Sequence, residues 1–326
     1  HSGFEIESAF LTRKLHYVKN EIENIKRTTW NFYRSICNPY EKVCLISNLT
    51  QSRPISRAYY KIAEINASLG LMNFKHKINA ICLAEAPGAF VQYIIDKRHT
   101  FEDSIACNTL LSTESKVPDF HDAITKHKST YVYYGPDGTG DICNSELIHN
   151  LTKERKYDLV TADGGFDASS DYNSQDLQCS KLVLCEFIIA IGCLNEKGNL
   201  VVKIFDIGND EIVKMLFLLT NTFESVYLTK PKTSRPANSE KYVVCKSFQG
   251  CENILHFVNA ICNGTPLEIE VPQEFRYFIH TIRKQFVEAQ ITSIRGIISV
   301  IKKTNTIDNG LHKSICNEWN QKNRID

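Results

Sequence analysis

Ala80-Ile81-Cys82-Leu83-Ala84-Glu85-Ala86-Pro87-Gly88-Ala89-Phe90 decides the fold. An unbroken apolar run reads as a strand buried on both faces. The Pro-Gly step that follows is a tight turn of small residues opening a helix, where backbone amides approach a bound group closely. It lacks the three glycines of a dinucleotide fingerprint and the Gly-Lys-Ser/Thr of a phosphate loop. Working outward, further buried runs stand at Tyr131–Tyr134, Leu159–Ala162, Leu200–Ile204 and Tyr242–Cys245. Helical patterns lie between them, notably Cys179–Leu194 and Glu211–Thr220. Strand–helix alternation with continuously apolar strands predicts an α/β fold, a mostly parallel sheet covered by helices on both faces. In such sheets ligands bind at the carboxyl ends of the strands. Polar or Gly-rich steps close several of these runs: Glu85–Gly88, Gly138–Asp141, Asp163–Gly165 and Lys203.

Helical segments flank this centre. Residues 5–35 carry Leu15, Val18, Ile22 and Ile25 at helical spacing until Asn38-Pro39-Tyr40 breaks the pattern. A second helix is predicted from Ser56, its N-cap, to Leu71, and a third over 272–304. The expected plan is a helical extension over 1–55, a core over 56–262 and a helical extension over 263–326.

The 326 residues are 43% hydrophobic and 23% charged, which excludes disorder for most of the chain. A net charge of +1 argues against a nucleic-acid partner only if charge is evenly spread. It is not: residues 1–61 hold ten basic against five acidic residues, and 281–326 eight against four. The centre is acidic, and the basic ends permit a polyanion site. None of the twelve cysteines forms a Cys-x-x-Cys pair, so no metal cluster is expected. Free thiols in that number point to a reducing intracellular compartment. No apolar run is long enough for a bilayer. His1-Ser2-Gly3 reads as an expression scar with no signal peptide behind it.

Three charged residues stand out. Asp163 ends the run Tyr157–Ala162, Lys203 interrupts an apolar strand, and Glu240 precedes Tyr242–Cys245. A buried ammonium is costly unless it is paired or snorkels to water. Each residue taken alone reads as a strand-end charge reaching solvent. Together with Lys61 of Ser56-Arg57-Ala58-Tyr59-Tyr60-Lys61 they follow the order of a Lys-Asp-Lys-Glu tetrad.

In that order, and in the Ala-Pro-Gly turn, the chain resembles the FtsJ-type RNA ribose 2′-O-methyltransferases. It looks closest to the mRNA cap-1 branch of eukaryotes and large DNA viruses. Ala162-Asp163-Gly164-Gly165-Phe166 is similar to that branch's motif. The block Lys230–Lys246 matches nearly residue for residue and is the specific part. Tyr133-Tyr134-Gly135, Gly140-Asp141-Ile142 and Asn38–Glu41 also match, so the resemblance runs from about residue 19 to 246.

The resemblance implies a Rossmann-like fold with a seven-stranded sheet, and methylation of the first transcribed nucleotide of capped mRNA by S-adenosylmethionine. Lys203 is then the general base beside Lys61, Asp163 and Glu240. As a base it must be neutral, so its pKa is expected to fall toward roughly 7–8. The cofactor pocket carries over to Ala84, Glu85, Ala86, Pro87, Gly88, Ala89, Phe90, Asp141, Ile142 and Asp163. Glu85 and Ala86 stand where the family has Ala-Gly, and Ala89 replaces a glycine. The cap site carries over to Lys19, Asn20, Glu23, Arg34, Asn173, Ser174, Gln175 and Asn238. Lys19 and Glu23, at i and i+4, also read as a surface ion pair. No metal and no membrane are implied. The expected partners are capped RNA and the transcription or capping machinery, for a monomer in the nucleus if cellular, or in the host cytoplasm, virus factory or virion if viral. Alternatives are methylation of the second nucleotide, of rRNA or tRNA, or a silent binding subunit.

Overall fold

The computed structural model describes residues 3–43, 53–111, 117–165, 172–303 and 307–323, with the backbone alone for 3–5 and 172–178. Seven strands form one sheet in the order β3-β2-β1-β4-β5-β7-β6. They are β1 Asn79–Leu83, β2 Ser104–Cys107, β3 Thr130–Val132, β4 Tyr157–Ala162, β5 Leu194–Ile204, β6 Phe223–Thr229 and β7 Lys241–Phe248. Strands β1 to β5 run parallel, and β7 alone is reversed, slotted between β5 and β6. The α/β reading therefore holds.

Side chains alternate across each strand, so the sheet has two distinct faces. Ile81, Leu83, Val160, Ala162, Leu200, Val202 and Val243 pack under helices Tyr172–Cys193 and Asp210–Thr222. Cys82, Leu159, Val201, Tyr242 and Val244 pack under helices Ala58–Leu69 and Ala89–Lys97. The odd-numbered Asp163 and Lys203 and the even-numbered Glu240 follow the second set.

The sequence pattern missed two strands. β2 offers only the three-residue run Ile105–Cys107, and β6 is a mostly half-exposed edge strand with Glu224 and Ser225 inside it, so neither shows an apolar run of ordinary strand length. The helix expected over 5–35 is two, Gly3–Glu23 and Arg27–Ile36, separated by a turn. The second predicted helix begins at Ala58, with Ser56 Oγ accepting from the Ala58 amide at 3.2 Å, and ends at Gly70, which is left-handed at φ 62°. Helix Gln273–Ile301 fits the predicted third. It packs on Gly3–Glu23, where Leu11, Leu15 and Val18 meet Val287, Ile291 and Ile294 around Ala237. The last helix, Asn309–Lys322, buries Cys316 and Trp319 in the core.

Candidate active site

Lys61 lies in the first turn of its helix, and the loop before β7 supplies Glu240. Their side chains meet at 2.7 Å, both largely buried. Lys203, the penultimate residue of β5, donates to the Asp163 carbonyl at 2.7 Å and lies 3.3 Å from its carboxylate. Register explains the rest: Lys203 pairs with Tyr242, so the tyrosine shares its face. The Tyr242 hydroxyl donates to the same Asp163 oxygen at 2.9 Å. Ser234 donates to Glu240 at 2.8 Å. The structure thus brings together four residues separated by up to 179 positions.

Charge here is set by competition. Burial alone pushes Glu240 up, but Lys61 and Lys203 outweigh it and hold the carboxyl at about 2. Burial alone drives Lys203 down, yet the carboxylates of Asp163 and Glu240 prevail and raise it above the ordinary lysine value. The expected downward shift is therefore not a property of the free protein. Carboxylates around the ammonium offset its loss of water.

The turn after β1 is built by Asn108, fully buried. Its side chain accepts from the Ala84 amide at 3.3 Å and donates to the carbonyls of Tyr133 at 3.0 Å and Gly140 at 3.2 Å. One amide thereby ties together the ends of β1 and β3 and the loop carrying Asp141. Its signal, a polar residue after the short run Ile105–Cys107, is too faint to read in sequence. Gly140 adopts φ +72°, and a Cβ there would fall 1.9 Å from the Thr109 carbonyl, so only glycine fits. Gly88 is left-handed at φ 107°, and Ala89 begins the helix in ordinary backbone. Ala84, Ala86 and Pro87 remain partly exposed, whereas Phe90 and Ile142 are core. Glu85 turns inward at 3% exposure. One of its oxygens accepts from the Phe90 amide at 2.7 Å; the other is buried with no partner among the described residues.

Among the described residues, those expected at the cap do not form one cluster. Lys19 lines a cavity of about 110 Å³ with Asn238, Lys230, Lys241 and Arg283. Arg34 lines another of about 390 Å³ with Arg235 and His312, on the far side of Pro236, which both share. Asn20 and Glu23 are exposed on the first helix. The side chains of Asn173, Ser174 and Gln175, like Phe166, lie outside the described residues. Two lysines of the long block received no role from sequence. Lys230 donates to Asn238 Oδ1 at 2.7 Å and to the Glu240 carbonyl at 2.6 Å. Lys241 donates to the carbonyls of Phe205 and Ser239. Burial lowers Lys230 to about 7 and Lys241 to about 8. Glu41 holds Arg57 and Arg235, each at 2.7 Å, and so fixes the other end of the loop.

The chain is similar to several known proteins. A cap-specific mRNA (nucleoside-2′-O-)-methyltransferase 2 of mouse is 28% identical over 295 residues, covering 85% of this chain but 38% of that protein. The cap-specific mRNA (nucleoside-2′-O-)-methyltransferase of Autographa californica nuclear polyhedrosis virus is 29% identical over 266 residues, covering 80% of this chain and 92% of that protein. The human cap-specific mRNA (nucleoside-2′-O-)-methyltransferase 1 is 32% identical over 184 residues, 54% of this chain and 22% of that protein. The chain thus spans under two fifths of the length of the mouse relative, but nearly all of the viral one. Residues 54–248, which hold all four tetrad residues, match the FtsJ-like methyltransferase model. The chain belongs to the FtsJ-like methyltransferase family.

Proposed function

We propose that this chain methylates the ribose 2′-hydroxyl of the first transcribed nucleotide of capped mRNA, with S-adenosylmethionine as donor. The observation that carries the reading is the joined set Lys61–Glu240 and Lys203–Asp163 on one sheet face. A ribose hydroxyl is a poor nucleophile, and its proton must leave as the new C–O bond forms. Lys203 takes that proton at Nζ. Asp163, itself fixed by Tyr242, orients the amine; Glu240 and Lys61 hold each other across the opening.

The residues present suit the cofactor. A buried oxygen of Glu85 without a partner among the described residues can accept a hydrogen bond from a cation, and Asp141 and Asp163 supply carboxylates for its charge. Ala84–Phe90 would cradle the group, with Asp141 and Ile142 beside it. S-adenosylmethionine supplies an electrophilic methyl on a sulfonium. Lys203 must then shed the proton it carries in the free protein, which added positive charge nearby favours.

For the cap, Lys19, Asn20, Glu23, Asn173, Ser174, Gln175 and Asn238 are the residues of choice, with Arg34 beyond Pro236. Arg34→Ala should weaken capped RNA more than the cofactor; an equal effect on both would remove it. The substrate is the capped transcript, met by a monomer alongside the capping machinery in a reducing compartment. The eleven described cysteines are all free.

The test is methyl transfer from labelled S-adenosylmethionine to m7GpppN-RNA and to uncapped RNA, with nuclease mapping of the modified ribose. Label on the first nucleotide of capped RNA only is expected. Label on the second nucleotide corrects the position, and label on uncapped RNA corrects the substrate. Lys203→Ala is expected to abolish transfer while the cofactor still binds. Retained turnover in that variant would sink the assignment.

A further inference from the structure

A glutamate that the proposed chemistry leaves unused lies beneath the tetrad. Glu186 sits within helix Tyr172–Cys193, on the sheet face opposite Lys61, and is fully buried. Its helical neighbours Cys185 and Phe187 through Ile191 are buried hydrophobic residues. A carboxylate there is costly unless it is paired or gives up its charge. Among the described residues neither oxygen makes a hydrogen bond of ordinary geometry.

What the carboxyl does meet is the turn after β4. A Cβ placed on Gly164 would fall 2.2 Å from Glu186 Oε1 and 3.1 Å from the Ala84 side chain. The acid therefore fills the space under Gly164, between the turn carrying Asp163 and the turn of the cofactor. Gly165 lies over Lys203, whose Nζ would stand 3.2 Å from a Cβ there. The groups facing Glu186 are Lys203 from β5, Asp163 and the Gly164 amide from the end of β4, and Cys143 from the loop ahead of helix Ser145–Thr152. Burial outweighs Lys203 and the Gly164 amide and holds the acid protonated, far above the usual carboxylate range.

We propose that Glu186 is a positioning residue: an uncharged carboxylic acid wedged under the Asp163–Gly165 turn, which keeps Asp163 on Lys203 while leaving only Asp163 and Glu240 to hold that lysine's proton. A charge on Glu186 would add a third carboxylate and hold the base in its inactive form. The inference rests on Lys203 being the base of the proposed reaction.

The test uses the full chain and three variants, Glu186→Gln, Glu186→Ala and Glu85→Gln. Infrared difference spectra at neutral pH should show a protonated-carboxyl C=O band that is lost in Glu186→Gln, and a separate one lost in Glu85→Gln. This reading does not depend on methyl transfer, so an inactive wild type that keeps the Glu186 band overturns the function and not the protonation. In turnover, Glu186→Gln keeps the shape and neutrality of the wedge. Its kcat should stay within about twofold, with the acid limb of the pH profile unmoved, whereas Glu186→Ala loses about tenfold or more in kcat at unchanged KM for RNA. Absence of the band overturns the proposal. So does an acid limb displaced by about one pH unit or more in Glu186→Gln, which would mean a charge was removed. Full activity in Glu186→Ala also overturns it. Should the alanine variant fail to fold, the glutamine spectrum and profile still decide.

Discussion

Glu240 shows what decides charge in this site. Its folded pKa of about 2 lies below the ordinary 4.5, so its contribution is complete above about pH 4.5 and is lost as pH falls toward 2. The shift corresponds to about 3 kcal/mol. Denaturant unfolding at about pH 5 and pH 3 should show roughly half of that loss, and Glu240→Gln should flatten the difference by a comparable amount. An unchanged slope would mean that Lys61 does not hold the carboxylate. Lys203 carries the opposite sign for activity. Because its neighbours in the free protein favour the ammonium, kcat/KM should still be rising at about pH 9, as the amine form grows. A rate that peaks near pH 6 would remove Lys203 as the base.

Among the elements, the turns at the carboxyl ends of β1, β3 and β4 are held by close backbone approach rather than by long side chains. Gly140 and Gly138 separate strain from contact. Both have positive φ, but a Cβ on Gly140 meets the Thr109 carbonyl at 1.9 Å, while around Gly138 there is nothing within 4 Å. Gly138→Ala should cost about 1 kcal/mol from backbone conformation alone. Gly140→Ala should cost about 3 kcal/mol or more and weaken cofactor binding, since the Asp141 loop must move. Thermal melts and a cofactor titration on both variants check this; equal costs would show that the loop yields freely.

Over the whole molecule, the two terminal segments are joined to the site by one loop. Residues 231–240 are held from below by Glu64, which accepts from the Lys232 amide at 2.7 Å and the Thr233 amide at 3.2 Å. Glu64 also accepts from the Trp319 indole at 3.0 Å, and Trp319 stacks edge-on against Tyr60, beside Lys61. Trp319→Ala should therefore cost about 3–5 kcal/mol and lower kcat as well. A stability loss with full kcat in the folded fraction would mean that the last helix does not steady the loop. Charge acts at the same scale. Packing of the first helix on Gln273–Ile301 brings the basic ends together, so Lys19 and Arg283 share one cavity. Few phosphates can be met there, and affinity for capped RNA should fall with salt on a shallow slope, corresponding to about two or three contacts. A slope as steep as that of a protein tracking a whole strand would require a longer path.

Sequence alone determined the elements whose chemistry is local. Apolar runs such as Leu159–Ala162 and Leu200–Ile204 have only one way to be buried, and the tetrad and the Lys230–Lys246 block were legible because their order survives in a linear string. β2 and β6 were not legible, since a short strand and an edge strand carry little pattern. Nor was the break at Asn24–Lys26, where no proline or glycine marks it. Only the tertiary structure decided which charges survive burial. Lys203 is raised rather than lowered because two carboxylates converge on it, Asp163 at the end of β4 and Glu240 from the loop before β7. Glu85 and Glu186 look in sequence like a turn residue and a helix residue; burial makes them acids that keep their protons. Pairing and desolvation are properties of neighbours in space, and only the fold supplies those neighbours.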